Sequence, residues 1–147
     1  MESEAPSVPQ PLLPERDKKA ESPQYFDWED VTDDSSPVTY VLQIATKQNF
    51  SDGSIVLDKR GLTNSDYLIT EEEKLEPVWK KDSYYWRVKA IDGASNESEW
   101  LTAWSFYSAG FPEWAKITII AIAWTITGYL CYRWGRRRSS NVQDTQL

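Results

Sequence analysis

Between Tyr25 and Tyr107, apolar residues recur at every second position in short runs, each closed by Gly, Pro, Asp, Asn or Ser. A two-residue period puts alternate side chains on one face of a strand, so this region predicts half-buried β-structure. Residues 38–46 (VTYVLQIAT) are the cleanest run, with Tyr40, Leu42 and Ile44 on one face. The longest is 82–92 (DSYYWRVKAID), in which Tyr84, Trp86, Val88 and Ala90 form the core-facing set and Tyr85, Arg87, Lys89 and Ile91 point the other way. Shorter strands pair Phe26 with Trp28, Ile55 with Leu57 and Tyr67 with Ile69, and 104–107 is the last. Turns are expected at 33–37, Asp52-Gly53, Arg60-Gly61 and 92–98. The acidic stretch 71–77 reads as a short helix or a connecting loop, closed by Pro77. Upstream, PQPLLP (9–14) fits either an edge strand with Leu12 and Leu13 packed or a linker, because Pro is tolerated at an edge and not inside a ladder. Strand following turn at this spacing predicts a β-sandwich.

Beyond residue 113 the alternation stops. The 16 residues from Ile117 to Tyr132 carry no charge and are mostly Ile, Ala, Trp, Leu and Tyr. As a helix they cover about 24 Å, and Trp114 to Trp134 covers about 31 Å, against a hydrocarbon core of about 30 Å. Trp114 and the cluster Tyr129, Tyr132 and Trp134 suit the two interfacial belts, while Lys116 and Arg133 can extend their charges to headgroups. A soluble helix that is apolar on all faces needs a surrounding core, which 135–147 cannot supply. The expectation is a transmembrane helix over 114–134.

Charge orients that helix. Through Gly110 the chain has 11 Lys and Arg against 21 Asp and Glu, a net of −10, whereas the remainder has 5 bases and 2 acids, a net of +3. Arg133, Arg136, Arg137 and Arg138 follow the apolar run directly, so the positive-inside rule makes the C-terminus cytoplasmic and the N-terminal part extracytoplasmic. A strongly acidic domain repels nucleic acid and anionic headgroups alike, which argues against a partner with a phosphate backbone. Histidine is absent and Cys131 is the only cysteine. That removes the commonest general base and metal ligand, and any intrachain disulfide. The first 19 residues lack the apolar core of a secretory signal peptide, and a longer precursor is expected to supply the export signal.

Taken together, the strand residues resemble a fibronectin type III domain of the kind found near the C-terminus of prokaryotic surface proteins, from about Val8 to Tyr107. An early strand carries a core tryptophan, here Trp28 in FDWEDV; a Y-x-L-x-I strand is matched by Tyr40, Leu42 and Ile44. The penultimate strand pattern Y-x-[apolar]-x-V-x-A is matched by Tyr84, Trp86, Val88 and Ala90, followed by Asp92-Gly93-Ala94, and SEWLTAWSF (98–106) looks like the entry to the last strand. The family's tyrosine corner, L-x-P-x-x-x-Y, begins at Leu75-Glu-Pro77, but Tyr84 stands three positions late. The resemblance implies an all-β immunoglobulin-like (fibronectin type III) sandwich followed by one C-terminal transmembrane α-helix. The expected segments are 1–7 flexible, 8–108 sandwich, 109–113 linker, 114–134 helix and 135–147 cytoplasmic tail.

Three sets of residues are candidates for more than scaffolding. Acidic residues gather around Asp27, Glu29 and Asp33 and again around Asp92; two loops at one end of a sandwich could give calcium its about six to eight oxygens. Their spacing matches no EF-hand and an acidic surface needs no ion, so no cofactor is the leading expectation. Tyr85 and Trp100 are expected to stay exposed and, with Arg87, to form a docking face for an extracellular protein or polysaccharide; packing as core or ladder is the competing expectation. Ala121, Thr125 and Gly128 form a small-residue helix face that would allow a weak homodimer within the bilayer. Asn49-Phe-Ser51 and Asn96-Glu-Ser98 also match a glycosylation acceptor pattern. The leading expectation is a non-enzymatic single-pass surface protein whose sandwich is a spacer or interaction module. A receptor-like subunit that binds glycan or protein through the aromatics comes second and an enzyme third.

Overall fold

The computed structural model describes residues 4–108, 122 and 124–134. The chain divides into two compact units, Met1–Gly110 and Phe111–Leu147.

The first unit is mostly β-structure in two sheets. Strands β1 (Pro11–Leu13), β3 (Tyr25–Trp28) and β6 (Asp66–Leu68) form one, in the order β1-β3-β6. The other contains β2 (Lys18–Lys19), β4 (Thr39–Ala45), β5 (Ile55–Leu62), β7 (Tyr84–Ile91) and β8 (Trp104–Tyr107), in the order β2-β8-β7-β4-β5. All pairs are antiparallel except β2 with β8, which run parallel. The sandwich expected from the alternation is therefore present.

Its core follows the two-residue period. Tyr40, Leu42 and Ile44 of β4 and Tyr84, Trp86, Val88 and Ala90 of β7 are all buried, facing Phe26 and Trp28 of β3. Phe26 meets Trp86 and Phe106 edge-on at 5.4 and 5.3 Å between centroids, and Trp28 meets Tyr40 at 5.4 Å. Edge-to-face contacts of this kind add to the area these rings bury, which matters in a domain with no disulfide.

Four local readings are corrected. First, Arg60-Gly61 is not a turn: β5 runs through it to Leu62. Tyr40 pairs with Leu62 and Val41 with Arg60, so Gly61, at φ +69°, is the extra residue of a bulge and occupies a conformation glycine adopts without strain. Second, Ile55 and Leu57 do not share a face. Ala45 pairs with Ile55 and Ile44 with Leu57, so Val56 is extra; Leu57 is buried while Ile55 is exposed. Third, β1 is an edge strand, but Leu12 and Leu13 are exposed, and Pro9 is the fully buried side chain of that segment. Fourth, the late position of Tyr84 does not prevent a bond back along the chain: its hydroxyl donates to the Glu76 carbonyl at 3.1 Å. A 3-10 turn at Lys80–Asp82 takes up the three additional residues. The acidic stretch contains a second 3-10 turn, Glu71–Glu73.

In the second unit, 122 and 124–134 are helical. Among the described residues no helix is long and apolar enough to cross a membrane. Trp114, Lys116, Ala121, Arg136, Arg137 and Arg138, and the linker and tail, lie outside the described residues.

Candidate functional site

The outer face of the five-stranded sheet carries the most organised polar chemistry. Alternation sends Arg87 of β7 outward opposite Gln43 of β4, which in turn stands opposite Asp58 of β5. The Arg87 Nε and Nη2 groups donate to Gln43 Oε1 at 3.0 and 2.7 Å; Gln43 Nε2 donates to Asp58 Oδ2 at 3.1 Å; and Arg60 donates to both Asp58 oxygens at 3.2 and 3.0 Å. Cross-strand neighbours at this spacing are the unit of sheet stabilisation, and here they form a continuous polar row.

Two rings close over that row. The Arg87 guanidinium carbon lies 4.1 Å from the centroids of both Phe50 and Trp100. Phe50 comes from the turn after β4, where its φ of +49° is uncommon for a bulky residue and lets the ring fold back onto the sheet. Trp100 also lies 4.9 Å from Lys89 Nζ, and Lys89 is buried and ion-paired with Glu97. Burial pulls the Arg87 guanidinium below its ordinary value, partly countered by the Asp58 carboxylate; an arginine remains charged even so.

Tyr85, Arg87 and Trp100 are thus all half-buried. The structure brings Arg87 and Trp100 together, but as a packed ladder: the guanidinium is held between two rings and its edge is bonded to Gln43. The sequence did not single out Phe50, Gln43 or Asp58. Gln43 was legible as an outward position of β4, but the contribution of Phe50 depends on a turn conformation that no period encodes.

The calcium candidates do not converge. The two acidic loops do adjoin, since the Gly93 amide donates to the Ser35 carbonyl. The Asp92 carboxylate, however, is buried and accepts from the Ala94 and Asn96 amides and the Asn96 side chain at 2.9, 2.7 and 2.8 Å, and Asp33 accepts from the Ser35 amide at 2.8 Å. Asp27 sits within β3 opposite Asp66, and Glu29 follows the strand. Among the described residues no three acidic side chains are grouped to hold a metal. The bond to Asp92 also commits the Asn96 amide, whereas Asn49 is exposed.

A third cluster joins the two sheets. Glu73 is ion-paired with Lys59 of β5 and accepts from the Tyr67 hydroxyl of β6 at 2.6 Å and the Thr70 amide at 3.3 Å. Burial alone would raise the Glu73 carboxyl, but the bonds from Lys59, Tyr67 and Thr70 outweigh it and hold the pKa at about 2. In the helical unit, Arg133, Trp134, Thr125 and Gly128 are exposed; the Thr125 hydroxyl turns back to the Ile122 carbonyl at 2.8 Å, and a Cβ on Gly128 would meet nothing within 4 Å.

A scan against protein-family models finds no match, and a search of curated proteins finds none.

Proposed function

We propose that the chain is a single-pass, membrane-anchored surface protein, displaying an extracytoplasmic fibronectin type III-like module as a spacer or protein-interaction domain and performing no catalysis. The observation that carries this reading is the helical segment. Ile122, Trp124, Ile126, Leu130 and Tyr132 are each more than half exposed, from 53 to 74 %. Apolar side chains exposed along a helix call for an apolar surrounding, and the uncharged run from Ile117 to Tyr132 followed by arginines matches a bilayer and its cytoplasmic boundary. A span would need the helix to extend through that run.

The family reading draws support from the strand order, from Trp28 in the core and from the bond of Tyr84 back to Glu76. A fold of this class dictates no activity, and function has to be argued from sites. The best-organised site on the sandwich is the Arg87 ladder, whose rings and donors are already engaged, and that favours a rigid spacer over a glycan receptor built on Tyr85, Arg87 and Trp100.

Alkaline carbonate extraction of vesicles containing the full chain tests the anchor. The chain is expected to stay with the lipid, and Ile122→Arg combined with Ile126→Arg to release it. Release of the unaltered chain would end the proposal.

A further inference from the structure

We propose that the end of the sandwich at which β8 finishes is a contact surface for an anionic lipid bilayer, an inference that rests on the membrane-anchored reading above. Strand directions sort the loops into two ends. Tyr107 closes β8 beside Lys19 of β2, and the neighbouring strands place Tyr84 and Ala45 at the same end. The buried Gln24 side chain donates to Ser108 at 3.0 Å, which puts the Tyr25–Leu68 pair of the other sheet there too. The Val78 amide donates to the Ser108 carbonyl at 3.1 Å, bringing in Trp79 and the Lys80–Asp82 turn. At the far end, Thr39 pairs with Ile91 and the loops 29–37 and 92–99 meet.

The domain as a whole is acidic and its net charge opposes an anionic surface, but the two ends differ in charge. The far loops carry Asp30, Asp33, Asp34, Asp92, Glu97 and Glu99, and the bases nearest them, Lys89 and Arg60, are ion-paired with Glu97 and Asp58. The exit end carries Lys18, Lys19, Lys80 and Lys81, all exposed. Among the described residues only Lys81 of these four has a carboxylate in reach, Asp82 at 3.8 Å, with both side chains well solvated. Acids are present at this end as well: Glu15 and Glu21 beside Lys18 and Lys19, Asp82 beside Lys81, Asp52, Glu76, and the 71–73 triplet, of which Glu73 is bound by Lys59. The lysines nevertheless gather where the far end has almost none.

Exposed apolar groups gather there too. Trp79 is 56 % exposed, Leu68 52 %, Tyr25 40 % and Ile55 37 %, and each belongs to this end. Leu13, Pro14, Pro23 and Tyr25 line a groove of about 490 Å³ in which Lys18 and Lys19 are accompanied by Glu15 and Glu21. Cations beside apolar side chains match the boundary between headgroups and acyl chains, where both are satisfied. Attraction of lysines to anionic headgroups acts within a Debye length, about 10 Å at moderate salt, so it needs this end to lie close to the surface. The chain leaves the sandwich at Ser108, nine positions before the apolar run begins at Ile117.

Hydrogen exchange of the full chain reconstituted into vesicles, with and without phosphatidylglycerol in phosphatidylcholine, tests this. Amides at 17–21 and 78–82 are expected to exchange at least about threefold more slowly in the anionic vesicles, with 92–97 unchanged and the effect lost at high salt. A variant combining Lys18→Gln, Lys19→Gln, Lys80→Gln and Lys81→Gln, all at exposed positions, should lose the difference while remaining in the vesicles. Incorporation with equal exchange in both lipids, or slowing at 92–97 instead, would overturn this proposal alone. Failure to incorporate would overturn it together with the anchor.

Discussion

Two core tryptophans of the sandwich and two tryptophans of the helix are the same side chain in opposite surroundings. Trp28 and Trp86 are 1 and 0 % exposed, packed against Tyr40 and Phe26, whereas Trp124 and Trp134 are 74 and 68 % exposed. In the sandwich, alternation along the strands separates an inner apolar set from an outer polar set. In the apolar run there is no charged set to turn outward. A large indole stabilises a fold only where something covers it, so the first pair is explained by the protein itself, and the second calls for the apolar surrounding that the proposed anchor would supply.

Substitution should break that contrast most visibly at Trp86. Trp86→Ala is expected to cost about 3–5 kcal/mol in urea unfolding of the sandwich, enough to unfold a marginal domain, while Trp124→Ala should leave that transition within about 0.5 kcal/mol. Equal effects at both positions would mean that the helix tryptophan is part of a core.

A smaller loss is expected where backbone meets backbone. A Cβ on Gly93 would lie 2.5 Å from the Ser36 carbonyl oxygen and 2.8 Å from that of Ser35. Gly93→Ala should therefore cost about 1–3 kcal/mol by forcing the two far-end loops apart. Gly128→Ala, with open space around it, should cost the sandwich nothing.

The outer ladder comes next. Arg87→Ala removes a stacked cation and leaves Gln43 Oε1 without its donor, for about 1–2 kcal/mol, and Arg87→Lys is not expected to restore it because an ammonium has no plane to lie between Phe50 and Trp100.

The smallest effect is a pH dependence at Glu73. Its folded pKa, about 2, lies below its ordinary value of 4.5, so the unfolded chain binds the proton more readily. The stabilisation is fully present above about pH 4.5 and is lost as pH falls toward 2. Glu73→Gln should flatten that part of the acid unfolding curve, by under about 1 kcal/mol given the solvent around Lys59. An unchanged curve would show that the sheets are not tied there.

What could be read in advance follows from what periodicity encodes. The inner faces of β4 and β7 were legible because apolar residues on alternate positions have only one way to face a core. The bulges at Val56 and Gly61 were not, because an extra residue shifts the period without changing composition, and Arg60-Gly61 looks like a turn in either case. β2 was hidden because two lysines in a polar stretch carry no apolar signal; their pairing with Phe106 and Tyr107 is made by backbone alone. The same limit applied to the site. Arg87 and Trp100 were legible as outward aromatic and cationic positions, but their engagement with Phe50, which turns an open face into a packed one, depends on a positive φ in a loop.

Expression of the full chain behind a cleavable export signal tests the central claim most directly. The account predicts that the protein remains with the cells, that added protease removes the sandwich from outside, and that a fragment containing Arg136 to Arg138 is retained in the membrane. Recovery of the intact chain in the medium would contradict it.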